Sequence, residues 1–419
     1  MKKILALLLA VLMILGMTAC AGGEAEGGKT DDSGSKVTKF EIKVWTPAED
    51  QAEGNNWLVA MEEKFEAAHP EYDITWIKES MSEGEANTAV TGDVTASADV
   101  YMFANDQLGG LITAGGLSEL GGVYLDQVKA DNSEFMVSTV THTDGGVYAF
   151  PVTNNTWFTY YNKDVFTEED VKSLDTMLEK GKVCVPFTVG WNAGAFFLGC
   201  GGTVFGPNGT DAAAGIQFGA DNGGYIAAKK MIEVATNPNC VPGGMDIGKL
   251  EDGEVAAVFS GSWDAAKLRE SLGDKLGVAQ LPTFEADGQT YTMKALSGTK
   301  CVGVNPNSGS VKGKQKACTE FAAFLASADA QLARYEMRGV IPAAQSLLDN
   351  EAIKNDPVAV AEINTMSNCA VIQSALPEMN NYWTPVQTFG TGCTNGDINM
   401  DNYQDMVDQM MEQLNAAGL

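Results

Sequence analysis

Histidine is almost missing from this chain: among 419 residues only His69 and His142 occur, and no Gly-x-Ser-x-Gly or His-Glu-x-x-His pattern is present. That removes the commonest hydrolase and zinc-protease arrangements, which need an imidazole as base or ligand. Basic residues are also scarce. Lysine and arginine total 27 against 55 aspartates and glutamates, a net charge of −28, which repels nucleic acid and anionic lipid. None of the eight cysteines is spaced Cys-x-x-Cys, so no zinc ribbon or redox motif is expected, and neither is any cofactor. Asp397 to Asp408 imitates the oxygen spacing of a calcium loop, but Asn402 stands where glycine is required and Asp408 where a bidentate glutamate belongs. Asp401 reads better there as a helix cap, so no metal site is expected.

What is present begins with a short apolar run. Lys2 and Lys3 precede Ile4 to Leu15, and Met17-Thr18-Ala19-Cys20 closes the segment, which is too short to span a bilayer as a mature helix. Small residues directly before a cysteine resemble the bacterial lipobox. Residues 1–19 are therefore expected to be a signal peptide and Cys20 a lipid-modified anchor, held firmly because a diacylglyceryl group carries two chains. Residues 20–36, rich in Gly, Ser, Glu and Asp, read as a flexible linker. Without Lys2 and Lys3 the mature chain has 25 basic against 55 acidic residues, a net of −30. No later stretch is apolar enough to cross a membrane.

About 380 residues remain, enough for two domains. Phe40 to Trp45 alternates as a strand; Trp57, Met61 and Phe65 share one face of a helix that Pro70 stops; Ile74 and Trp76 lie in a second strand and Asp99 to Phe103 in a third. That β-α-β-α-β order predicts an α/β fold with a parallel sheet. A second alternating unit starts after Val147 to Pro151. It includes a helix capped by Thr167 and strands Val183 to Phe187 and Val255 to Ser260, and the chain ends in helices.

One local pattern recurs: an aromatic residue at a strand end or loop, beside a polar one. Trp45 precedes Glu49 and Asp50; Phe103 precedes Asp106 and Gln107; Asn155 precedes Trp157; Trp191, Trp263 and Trp383 are followed by Asn192, Asp264 and Gln387. Aromatic faces pack on the C–H faces of pyranose rings, and carboxylates and amides bond their hydroxyls. In open α/β folds such groups at strand ends line ligand crevices.

Four blocks, in this order, carry a family resemblance: Asp99-Val-Tyr-Met-Phe-Ala-Asn-Asp-Gln-Leu-Gly-Gly through Leu117; Ala149-Phe-Pro-Val with Tyr161-Asn-Lys-Asp; Gly253-Glu-Val-Ala-Ala-Val-Phe with Gly261-Ser-Trp; and Leu376-Pro-Glu-Met-Asn-Asn-Tyr-Trp. The mature chain resembles the maltose/maltodextrin-binding proteins of ABC sugar importers, within the family 1 extracellular solute-binding proteins. The resemblance implies a two-lobed, periplasmic-binding-protein-like fold of class II type, each lobe a mixed sheet flanked by helices, with the ligand in the cleft between them. It puts residues 37–152 and 302–352 in the N-lobe and 153–301 and 353–419 in the C-lobe, with hinges near 152–153, 297–301 and 350–356.

By the same resemblance, Glu49, Asp50 and Asp106 bind sugar hydroxyls, and Phe103, Trp191, Trp263 and Trp383 are stacking platforms. Gln107 and Gln387 replace family arginines, Asn155 replaces a glutamate and Val189 another, which predicts a neutral, amide-rich cleft whose specificity departs at Gln107. The implied function is non-enzymatic: a monomeric, lipid-anchored binding component on the outer face of the cytoplasmic membrane. It would pass maltooligosaccharides or other α-glucans to permease subunits served by a cytoplasmic ATPase. A binding protein for xylo- or galacto-oligosaccharides, and a surface glycoside hydrolase using Asp106 and Asp264, stand as the alternatives.

Overall fold

The computed structural model describes residues 37–54, 56–309 and 311–416; the expected signal peptide, Cys20 and the linker lie outside the described residues. In chain order the strands are Thr38–Thr46 (β1), Tyr72–Ser80 (β2), Val100–Ala104 (β3), Phe150–Asn155 (β4), Phe158–Asn162 (β5), Val183–Val185 (β6), Thr203–Val204 (β7), Ile216–Gln217 (β8), Cys240–Pro242 (β9), Ala257–Ser260 (β10), Leu276–Ala279 (β11), Thr283–Ala286 (β12), Gln289–Thr292 (β13), Ala295–Val304 (β14) and Ala370–Ile372 (β15). They form two main sheets and two small hairpin-like pairs. The first sheet runs β15-β14-β3-β1-β2 with β4 also on β14, and the second runs β11-β5-β10-β6-β9. β1 lies parallel to both β2 and β3, as the strand–helix alternation predicts, whereas β14 enters antiparallel to β3 and β4.

Each sheet has its own core. In the first, Ile42, Val44, Val100 and Met102 pack under the helix Trp57–Ala68, whose Trp57, Met61 and Phe65 are all buried. In the second, Trp157, Val183, Phe187, Met231 and Phe259 belong to one cluster with the late helices Asn380–Asn395 and Tyr403–Leu414. Full burial of each such side chain contributes roughly 1.5 to 3 kcal/mol. The fold is the two-lobed α/β arrangement.

The chain passes between cores at few places. Val152 belongs to the first core and Trp157 to the second; within β14, Ala295 and Leu296 belong to the second and Cys301 to Val304 to the first. β4 and β14 are paired directly there, Thr299 opposite Asn154 and Gly298 opposite Asn155. Gly298 is needed, because a Cβ at this position would collide with Oδ1 of Asn105, the acceptor for the Thr299 N–H at 3.1 Å. The third passage follows the helix Ala328–Arg338, where Pro342 bridges to Thr153.

Two local expectations need correction. Thr167 does not cap the helix after it; its Oγ1 accepts from Asp170 in a short turn, and Ser173 caps Leu174–Lys180 by accepting from Thr176 N. Nor does Asp401 cap the last helix. Asn402 precedes it and turns its Oδ1 back to the N–H of Asn399, closing the loop on itself. The seven cysteines from Cys184 to Cys393 are all unbridged, and all but the half-buried Cys200 are buried.

A candidate ligand cleft between the sheets

A cavity of about 360 Å³ opens where the two lobes meet. From the first lobe, Pro47 and Glu49 follow β1, Glu83 and Gly84 follow β2, and Ala104 ends β3. From the second come Trp191 in the turn after β6 and Ser262 and Trp263 directly after β10. Thr153, Asn154 and Asn155 of β4 and Lys300 of β14 form the part common to both, Arg334 and Arg338 come from the helix Ala328–Arg338, and Val340 from the third passage after it. The side chains therefore stand at the ends of strands, where an open sheet exposes loops and a crevice.

Two aromatic rings provide the flat surface. Trp191 and Trp263 are stacked with centroids 6.1 Å apart and planes at 27°. Gly261 lets the Trp263 ring lie against its backbone, since a Cβ there would overlap the six-membered ring. The Lys300 ammonium sits 5.2 Å from the Trp263 centroid, a cation–π distance, and 3.6 Å from Glu83.

Charge runs on from there. Arg334 is 3.5 Å from Glu83 and forks onto Asp50 through Nε at 2.9 Å and Nη2 at 2.8 Å, while Arg338 reaches the same carboxylate. Asp50 is fully buried. A buried carboxylate with two guanidinium partners has its charge compensated, and a bidentate fork fixes both side chains in place. Arg334 also lies over Trp57 at 5.3 Å.

Of the residues expected at the site, Glu49, Asn155, Trp191 and Trp263 line this cavity. The others do not. Asp50 stands behind the lining as the anchor of two arginines. Trp45 is buried against Tyr101 and donates through Nε1 to Glu79 at 2.7 Å. Phe103 is wholly buried, 5.8 Å from Tyr101, so no ring face is available to a ligand. Trp157 is likewise inside, edge-on to Phe259. Asp106 lies outside the lining; its Oδ1 is buried without a hydrogen-bond partner, and burial pushes its carboxyl up to about 6.

Gln107 faces inward. Its Oε1 accepts from the Asn87 N–H and its Nε2 donates to the Glu83 carbonyl, both at 2.7 Å, so it holds the segment that presents Glu83. The backbone of Trp383 lies close against Gly190 but Trp383 is not in the lining, and Gln387, one turn later, is exposed on a separate groove with Thr384 and Thr388.

The expected neutral, amide-rich cleft is corrected by the charges that sequence reasoning missed: Glu83, Lys300, Arg334 and Arg338. A signal was available. The chain has three arginines, and two of them, four residues apart and so on one helix face, are in the cleft.

Known proteins share this fold. The family model described as bacterial extracellular solute-binding protein matches residues 60–361. A galactooligosaccharide-binding protein of Bacillus subtilis (strain 168) is 26% identical over 93% of this chain and 93% of its own. A solved structure with acarbose is 42% identical, covers 90% of this chain and 99% of that one, and superposes with a TM-score of 0.85. A ligand-free maltodextrin binding protein of L. casei BL23 is 26% identical over 91% and 100% of the two chains, with a TM-score of 0.83.

Proposed function

The chain belongs to the bacterial extracellular solute-binding proteins, and we propose that it is the lipid-anchored substrate-binding component of an ABC importer that captures oligosaccharides, α-glucans foremost, between its two lobes. The observation that carries this reading is the stacked Trp191–Trp263 pair facing a cavity whose other walls hold Glu49, Glu83, Lys300 and Arg338. A pyranose has apolar C–H faces and an equator of hydroxyls, and this lining offers the complement of both.

Capture works by closure. The passages at residues 152–157 and within β14 act as hinge strands, with the third crossing near 339–356, and the ligand draws the lobes together because only the closed form touches it from both sides. The signal peptide is removed before Cys20, and the lipidated cysteine and its linker hold the protein as a monomer on the outer face of the cytoplasmic membrane. Tethering raises the local concentration at the permease, which releases the sugar inward.

Names of similar proteins support α-glucan and galacto-oligosaccharide ligands alike: the acarbose complex and the maltodextrin binding protein on one side, the galactooligosaccharide-binding protein on the other. The hydrolase reading has less support, since neither Asp106 nor Asp264 lines the cavity and Asp264 is engaged with the Ser260 hydroxyl at 2.5 Å. Incubation with maltoheptaose is expected to leave the sugar intact. Shortened products would overturn the transport reading in favour of hydrolysis. Parallel calorimetric titrations with maltotriose, xylotriose and a β-galactotriose rank the ligands, with maltotriose expected first; a preference for the galactotriose would reassign the substrate.

A further inference from the structure

The third passage between the lobes is tied together at its two ends. It leaves the helix Ala328–Arg338 at Gly339 and finishes at Asp356, the N-cap of the helix Pro357–Asn368. Tyr335, in the last turn of the first helix, donates its hydroxyl to Asp356 Oδ2 at 2.9 Å across a separation of 21 residues, with the Ala352 carbonyl at 3.1 Å as its other acceptor. Asp356 Oδ1 takes the Val358 N–H at 2.8 Å and the Arg269 guanidinium. This carboxylate is only 8% exposed, so three donors from three helices meet on one buried acid.

The three helices belong to different lobes. Ala330 of the helix Ala328–Arg338 packs in the first core and its carbonyl accepts from Trp57 Nε1 at 2.9 Å; Arg334 and Arg338, on either side of Tyr335, hold Asp50 beside Glu49 of the cleft. Ala265, Leu268, Val358 and Ala361 share one buried cluster with Phe158 and Tyr160 of β5, which puts the helices of Arg269 and Val358 in the second lobe. The helix Ala265–Leu272 that carries Arg269 starts directly after the turn that presents Trp263. A Cβ on Gly339 would stand 3.8 Å from Arg269 Nη1, so the guanidinium lies against the start of the passage as well as its end. A segment with its ends tied together loses much of the freedom of a linker, and hydrogen bonds to a charged group are the stronger kind.

We propose that Asp356 is a positioning residue of the cleft: clamped by Tyr335 from the first lobe and Arg269 from the second, it turns the third passage into a fixed pivot that sets the Glu49 wall against the Trp263 wall. With the clamp intact the ligand-free lobes keep a narrow range of separations, and a ligand that touches both walls finds them close to register. Without it the lobes sample wider separations, and binding has to gather them first. The effect on affinity rests on the oligosaccharide reading; the clamp itself does not.

The test compares the wild type with Tyr335→Phe, which removes one hydroxyl, with Arg269→Met, at a side chain 41% exposed, and with Lys180→Met, which breaks an ion pair to Asp170 lying wholly within the second lobe. Without ligand, hydrogen exchange of residues 339–356 is expected to quicken and the radius of gyration from small-angle scattering to grow in the two clamp variants but not in Lys180→Met. Maltotriose affinity by calorimetry is expected to fall about three- to tenfold in each clamp variant and to stay level in Lys180→Met. Tyr335→Phe combined with Arg269→Met should lose little more than the worse single variant, because both act through Asp356. Unchanged exchange and scattering in both clamp variants overturn the inference, as does a change in them that leaves maltotriose affinity level with the wild type. Faster exchange and wider scattering in the clamp variants alone, with no oligosaccharide bound by the wild type, uphold the pivot and overturn the ligand reading instead.

Discussion

Lys300, on the strand that passes from one core to the other, holds its ammonium 5.2 Å from the centre of the Trp263 ring, which belongs to the second lobe, while lying 3.6 Å from Glu83 of the first. One side chain thus connects an acid and an aromatic platform across the cleft. A sugar that stacks on Trp263 meets a surface whose neighbouring charges are already arranged, so binding requires little further ordering of side chains.

The platform residues set the first prediction. Trp263→Ala and Trp191→Ala should each weaken oligosaccharide binding by about 1 to 3 kcal/mol, roughly five- to 150-fold in Kd, through lost stacking and burial. Trp383→Ala, outside the lining, should do so less. Calorimetry on the three variants checks the order.

Phe103→Leu gives the opposite outcome. The ring is wholly inside the first-lobe core, so the substitution should leave sugar affinity within about twofold and lower stability by about 1 to 2 kcal/mol, read from the urea midpoint. A large loss of affinity without loss of stability would return Phe103 to the site.

Asp50 is predicted to matter for charge. Asp50→Ala leaves Arg334, nearly buried and deprived of its bidentate partner, with only Glu83 at 3.5 Å. Breaking a buried pair in this way costs about 3 to 5 kcal/mol, and Arg338 also loses its anchor in the cleft. Asp50→Ala combined with Arg334→Met should recover part of that cost, which equilibrium unfolding of the single and double variants measures. Strict additivity would contradict the pairing.

Asp106 supplies a pH dependence. Burial raises its carboxyl to about 6 in the folded protein, above its value in the unfolded chain. The native state then holds a proton that the unfolded state has released, so this residue's contribution to stability declines as pH rises from about 4 to about 6 and is constant above. Asp106→Asn should remove that slope in Tm against pH. An unchanged slope would show that Asp106 titrates normally.

The first lobe was legible because its signals are local. Trp57, Met61 and Phe65 repeat at helical spacing, β1 alternates apolar with polar residues and β3 is a short apolar run, so both element type and parallel pairing follow from sequence. The cleft was legible only in part. Trp157 and Trp263 show the same local pattern, an aromatic beside a polar group, yet one is core and the other wall. What separates them is the long-range pairing of β4 with β14, residues about 145 positions apart, which leaves no mark on neighbouring residues. The charged wall was missed for a related reason: Arg334 and Arg338 look like the solvent face of an ordinary helix until Asp50, 284 residues away from Arg334, is placed against them.

The most direct measurement is a calorimetric titration of maltotriose into the wild-type protein and into the Trp191→Ala/Trp263→Ala double variant. Exothermic one-to-one binding to the wild type, reduced at least about tenfold in the double variant, is the expected result. Equal affinity in both, or no heat with maltotriose, xylotriose or galactotriose in the wild type, would contradict the assignment of this cleft to oligosaccharide capture.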